Sequence, residues 1–250
     1  MNKEIKINYL LPNLFTASSI FVGVVSIINA ANGNFEKAGW LIVLSLILDG
    51  LDGKVARLTK GESQFGTEFD SLADIVAFGV APAMLIFFQI GINYGKFGVL
   101  VAALFVVFGA IRLARFNVTT HNIDSSIFIG LPIPSAALAQ VALSLLYFKY
   151  HYAFLEIVVL VVTLIVSILM VSNIRYFSIK KVSLKKSISF KALVVLILLC
   201  SISYLYPIEA ISLIFFGYVI SGPIRAAWAL DRFKRLKQAS KKAKSTKPKA

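Results

Sequence analysis

Apolar residues in this chain run in long blocks rather than alternating or marking a single helical face. The blocks approach the roughly 20 residues that a helix needs to cross a hydrocarbon core of about 30 Å. They predict eight membrane-spanning helices, at approximately 9–30, 38–58, 69–91, 97–116, 130–148, 152–173, 189–205 and 208–229. Chain breakers separate them: Asn32-Gly33-Asn34, Gly91 to Gly95, Gly130 with Pro132 and Pro134, and Pro207. Pro132 and Pro134 read as helix-start geometry rather than chemistry. The pattern holds neither an internal repeat nor a soluble domain. The fold class expected is therefore an all-α integral membrane bundle, embedded over 1–230, with a basic, disordered tail over 231–250.

Composition agrees with this pattern. The chain is 58% hydrophobic and 15% charged, with a mean hydropathy of +0.81. A soluble domain holds about 45–50% apolar and about 25% charged residues. Lys3 and Lys6 ahead of an apolar run could mimic a signal peptide. That run reaches from Ile7 to Ala30 and contains Pro12-Asn13, which is longer than an h-region of about 7–15 residues, so it reads as a retained first span. Cys200, the single cysteine, lies in an apolar run and reads as a core or lipid-facing residue; an intrachain disulfide is impossible.

Charge changes the picture more. A net charge of +14 suggests nucleic acid, but its distribution argues for a membrane surface. With an even number of spans both termini share one side, and that side collects 23 of the 26 Lys and Arg residues; only Lys37, Lys96 and Lys149 fall opposite. Cytoplasmic loops carry such an excess, so both termini and the tail, with nine basic residues from Asp231 onward, are expected in the cytoplasm. Anionic headgroups attract such a segment by about 1 kcal/mol per charge. Membrane lipids are the partner expected, and nucleic acid is not.

The acidic residues are concentrated. Six of the twelve lie between positions 49 and 74: Asp49, Asp52, Glu62, Glu68, Asp70 and Asp74. Asp49 and Asp52 sit at i and i+3 on the cytoplasmic end of the second span. Asp70 and Asp74 sit at i and i+4 at the start of the third, so each pair shares a helix face. Gly61 and Gly66 suffice to turn the chain back between them, while Glu62 and Glu68 read as loop charges. Four converging carboxylates repel unless neutralised. Oxygen ligation without His or Cys indicates a hard cation, Mg²⁺ or Mn²⁺; His121 and His151 read as loop residues. Gly50, Gly53, Ala56 and Ala73 leave room beside the helix backbone, and Lys54 and Arg57 add positive charge, which together suit a phosphate-bearing substrate.

The motif Asp49-x-x-Asp52-Gly53-x-x-Ala56-Arg57, eight residues, then Gly66-x-x-x-Asp70-x-x-x-Asp74 resembles the complete signature of the CDP-alcohol phosphatidyltransferases. The resemblance implies that Asp49, Asp52, Asp70 and Asp74 hold two Mg²⁺ or Mn²⁺ ions, with Asp74 also the general base. It implies that Gly53, Ala56, Arg57, Ser63 and Gly66 bind a CDP-lipid, and Pro12-Asn13 resembles a further segment of that pocket, adding Asn13. Arg112-Leu113-Ala114-Arg115-Phe116-Asn117 and Gly130-Leu131-Pro132-Ile133-Pro134-Ser135 resemble segments of the serine-transferring branch. The likeness extends over most of the chain, with eight spans where the family core has six. What it implies is transfer from CDP-diacylglycerol to L-serine with release of CMP, by an inner-membrane homodimer.

Physically, Arg112 and Arg115 lie at i and i+3 on a helix end and could hold an acceptor's carboxylate or phosphate; ordinary positive flanking is the alternative. Glycerol 3-phosphate, inositol phosphate or a second lipid are rival acceptors. A cation transporter and a non-catalytic scaffold are rivals of other classes. The transporter would need carboxylates near the bilayer midplane, whereas these sit at helix ends.

Overall fold

Asn32, Gly33 and Asn34 interrupt the first apolar block, and the chain reverses there between α1 (Ile7–Ala31) and α2 (Phe35–Thr59). Gly33 takes φ 79°, a left-handed backbone that glycine adopts without strain. The computed structural model describes residues 7–59, 61, 63–119, 127–177, 201 and 205–245. Small polar residues bind the first two helices together. The Ser19 and Ser45 hydroxyls lie 2.8 Å apart, and Ser26 Oγ donates to Ala38 O at 2.8 Å. Close seams of this kind replace hydrophobic contrast where lipid is the solvent. The buried face of α2 runs through Ala38, Ile42 and Ser45, and at the same helical spacing it continues to Asp49 and Asp52.

The third apolar block is one helical rod in three pieces: α3 (Gln64–Asp74), a wide π turn (Ile75–Val80) and α4 (Ala81–Gln89). Here the Ala81 N–H reaches back five residues to Val76 O. Such turns recur at functional sites, and this one begins at the residue after Asp74. The rod starts five residues before the expected 69 because Ser63 caps it, so Glu68 lies exposed on a helix rather than in the connection. A 3₁₀ turn (Gly91–Tyr94) leads to α5 (Lys96–Thr119).

A short antiparallel ribbon follows, β1 (Ile127–Ile129) against β2 (Arg175–Phe177), with Phe128 opposite Tyr176. Between its strands lie α6 (Ile133–Tyr150) and α7 (Ala153–Val171). Helix α6 is the axis of the bundle, every residue from Ala136 to Leu145 being buried. Pro132 and Pro134 flank its start, and His151 ends it in a left-handed turn (φ 49°), in a connection as expected.

The expected eighth span opens α8 (Pro207–Ser245), and the tail expected to lack structure continues that helix to Ser245. Lys, Arg, Ala and Gln dominate this stretch, are good helix formers, and extend a helix already nucleated in the apolar part. Glu62, His121, Cys200 and nearly all of the expected 189–205 span lie outside the described residues.

Among the described residues, five helical stretches are long and apolar enough to cross a bilayer: Tyr9–Ala31, Gln64–Gln89, Lys96–Thr119, Phe154–Val171 and Pro207–Trp228. The chain is thus an almost wholly helical membrane protein. Helix α2, charged at its last turns, and the buried α6 complete the positions matched to expected spans. Away from Asp49 the bundle is clasped by polar side chains. Glu156 accepts Tyr147 Oη at 2.6 Å and Tyr94 Oη at 3.2 Å. Glu209 pairs with Lys149 and accepts Tyr150 Oη at 2.7 Å, joining α6 to α8.

Candidate active site

Local chain geometry sets the site. Helix α2 ends as the Gly61 N–H reaches back to Ala56 O at 2.9 Å. Ser63 then opens α3 in extended backbone, its Oγ accepting the Gly66 N–H at 3.0 Å, an ordinary N-cap. Gly66 therefore lies in the first turn of α3, not in the connection. A Cβ there would stand 3.2 Å from Ser63 Oγ and 3.3 Å from Asn13 Oδ1, so the missing side chain lets α3 begin hard against α1.

One turn on, Asp70 and Asp74 face back toward α2. Single oxygens of Asp49, Asp70 and Asp74 all lie within 4.8 Å of one another. Asp74 Oδ1 is buried with no hydrogen-bond partner among the described residues. Carboxyls this close require a proton or a cation between them. An all-oxygen donor set with an unmet buried oxygen fits a hard divalent ion. Four aspartates were expected together; three meet, while Asp52 stands one turn along, buried and accepting Thr16 Oγ1 at 2.6 Å.

A cleft of about 380 Å³ opens beside this trio between the starts of α1 and α3 and the end of α2. Asn13, Gly53, Ala56, Arg57, Ser63 and Gly66, the six residues expected to take a CDP-lipid, all line it. Asp52 and Asp70 also belong to its wall, so cleft and acidic trio are continuous. A Cβ on Gly53 would meet nothing within 4 Å, which makes this glycine clearance for a ligand rather than a packing requirement. Arg57 lies along its own helix, Nε donating to Gly53 O at 2.9 Å. Pro12 and Gly61 also line the cleft, as do Thr16 and Thr67, which were missed from sequence. Thr16 sits 36 residues from the aspartate it binds, beyond the range of any local spacing signal.

The two arginines part company. Arg112 is buried at 6% exposure, 5.3 Å from the Phe116 ring centroid and within electrostatic reach of Asp74. No ion pair joins them, and Arg112 Nε lacks a hydrogen-bond partner among the described residues. Arg112 and Asp74 thus each keep a buried polar atom without a partner among the described residues. Arg115 is not brought to the cluster. Its guanidinium donates to Val171 O and Ile129 O at 3.0 Å each, to Ser172 O at 3.1 Å, and to Met170 O and Asn173 Oδ1 at 3.4 Å. It caps the end of α7 and pins β1 to it, the use a cation has at a helix C-terminus. Gly130, at φ 77°, makes the turn around that guanidinium. Asn117 Nδ2 donates to Ser71 Oγ at 2.9 Å, locking the helix of Arg112 to the helix of Asp74.

Comparison with known proteins supplies independent findings. The family model for CDP-alcohol phosphatidyltransferase matches residues 9–169. A CDP-diacylglycerol–serine O-phosphatidyltransferase of Helicobacter pylori is 48% identical over 224 residues, covering 87% of this chain and 91% of its own. The protein of the same name from strain J99 of that organism is 49% identical over the same shares. An archaetidylserine synthase of Methanothermobacter thermautotrophicus is 40% identical over 139 residues, 54% of this chain and 58% of its own.

Proposed function

The chain belongs to the CDP-alcohol phosphatidyltransferase family, and from that premise we propose that it transfers the phosphatidyl group of CDP-diacylglycerol to the hydroxyl of L-serine, releasing CMP. The observation that carries this reading is the continuity of the six-residue nucleotide cleft with an acidic trio whose Asp74 keeps a buried, unpartnered oxygen. Family membership leaves the transporter and scaffold alternatives without support.

Asn13, Arg57 and Ser63 hold the cytidine diphosphate part in the cleft, with Gly53, Ala56 and Gly66 as its clearance. Asp49, Asp70 and Asp74, with Asp52 at the cleft edge, hold two Mg²⁺ or Mn²⁺ ions. When bound, these supply positive charge that offsets the pyrophosphate and the departing CMP. Asp74 takes the proton of the serine hydroxyl. The hydroxyl oxygen bonds to the phosphorus that bears the diacylglycerol, the bridging P–O bond breaks, and its electron pair leaves with CMP. Arg112 grips the serine carboxylate, a bidentate match. Acyl chains enter from lipid while serine and nucleotide arrive from water, so the membrane-surface ends of α2 and α3 suit both. The positive-inside distribution supports a cytoplasmic site in the inner membrane. Residues 1–230 form the embedded unit, which works as a homodimer.

The test is CMP release by the purified protein with CDP-diacylglycerol, Mg²⁺ or Mn²⁺ and each acceptor. Turnover with serine and none with glycerol 3-phosphate is the result expected; the reverse would sink the serine assignment.

A further inference from the structure

Helix α1 is fixed to its neighbours along one face. Thr16, Ser19, Gly23 and Ser26 share that face at helical spacing, and the three hydroxyl residues among them are buried. The Ser45 hydroxyl donates to Ser19 O at 2.9 Å and accepts Ser19 Oγ at 2.8 Å, while Ser26 Oγ donates to Ala38 O at 2.8 Å. A Cβ on Gly23 would stand 3.1 Å from Ala77 Cα, so α1 also lies hard against the backbone of the π turn. Two serine links and one close approach thus set the height of α1 on α2. At the cleft end of the same face stands Thr16.

The Thr16 hydroxyl has one proton and two acceptors in reach: Asp52 Oδ2 at 2.6 Å and Pro12 O at 3.2 Å. A threonine that only satisfied itself would turn to the carbonyl one turn back. Here that contact is the longer one, and a hydrogen bond to a carboxylate is the shorter and stronger kind. The proton therefore goes to Asp52. Thr16 and Asp52 are 3% and 6% exposed, so water competes little for this bond. Both residues also line the cleft, with Pro12. The aspartate that stands apart from the trio is thus held by α1 rather than by the α2–α3 pair. A carboxylate has about four acceptor sites, so the bond to Thr16 leaves Asp52 able to take a cation as well.

We propose that Thr16 is a positioning residue: its hydroxyl holds the Asp52 carboxylate in the orientation in which it joins the acidic trio in binding a divalent cation at the cleft edge. This rests on the two-ion reading above.

The experiment uses the full chain in detergent without CDP-lipid, titrated with Mn²⁺ alone and read by the free-ion signal in electron paramagnetic resonance. Loss of a hydrogen bond that orients a ligating carboxylate predicts a Mn²⁺ dissociation constant about tenfold higher, or more, in Thr16→Val. Thr16→Ala removes the same hydroxyl at a different volume, so either variant that folds serves. Thr16→Ser keeps the donor and should stay within about threefold of wild type. Ser26→Ala, at the far end of the same face, should lower the melting temperature and leave Mn²⁺ affinity unmoved. In turnover assays the Mn²⁺ requirement of Thr16→Val should rise while the serine KM stays put. Unchanged Mn²⁺ affinity in the hydroxyl-free variants, a Thr16→Ser as weak as Thr16→Val, or an equal loss in Ser26→Ala overturns the inference. A wild-type chain that binds no Mn²⁺ overturns the two-ion reading instead, so the two failures are distinguishable.

Discussion

Glu156 and Asp74, at opposite ends of the bundle, have their carboxylates treated in opposite ways. At the α6–α7 end, Glu156 receives a phenol on each oxygen. Glu209, at the same end, receives an ammonium and a phenol on one oxygen, and its other oxygen is buried with no partner among the described residues. At the α2–α3 end, three aspartates share a space within 4.8 Å and the buried Asp74 Oδ1 has no partner among the described residues. Satisfied polar groups lower the energy of the fold, whereas unsatisfied ones raise it and persist where a ligand completes them. One end holds helices together; the other holds a cost that substrate and cation relieve. Arg115 and Arg112, three residues apart, repeat the contrast in miniature: five acceptors for one, an unmet Nε for the other.

Substitution should separate the two ends. The largest effect is expected from Asp74→Asn, which should lower CMP release by about a hundredfold or more while leaving the melting temperature unchanged or raised, since a like charge is removed. A variant with near-normal turnover would contradict the general-base role. Chelation of divalent ions should likewise abolish turnover and Mg²⁺ or Mn²⁺ restore it, with little change in helix content by circular dichroism; collapse of the helices on chelation would show the trio to be structural. Arg115→Met should do the reverse of Asp74→Asn. Stripping five acceptors of their donor should cost on the order of 2–3 kcal/mol of stability, read in thermal unfolding, with serine KM almost unmoved in the folded fraction. Tyr147→Phe should cost about 1 kcal/mol with no kinetic change. Lys149→Ala, removing a pair at the exposed rim, should shift melting least of all.

Much of the α2–α3 end could be read from spacing. Asp49 and Asp52 continue the small, buried face of α2, and Asp70 and Asp74 repeat at one turn, so local helical geometry alone aligns them. The hydrophobic blocks likewise located the helices, because membrane insertion imposes a length that sequence carries directly. What spacing could not carry was contact across distance. Thr16 on Asp52, Asn117 on Ser71 and Arg115 on the end of α7 join residues 36, 46 and more than 50 positions apart. Two three-residue strands are too short to show periodicity. The helical tail was missed for another reason: its charge suggested disorder, while its residue types individually favour helix and α8 was already nucleated upstream.

The π turn at Ile75–Val80 works as a phase shifter in the third rod. An α-helix advances about 100° per residue, so one residue absorbed in a wide turn rotates everything before it relative to everything after. Pro82, Leu85, Ile86 and Gln89 bury one side of α4 while Asp70 and Asp74 aim elsewhere, at α2. Deleting a single residue from the turn would leave the rod helical and equally apolar, yet swing both aspartates about a quarter-turn out of aim. The chemistry of this end thus depends on an irregularity that neither adds nor removes a polar group.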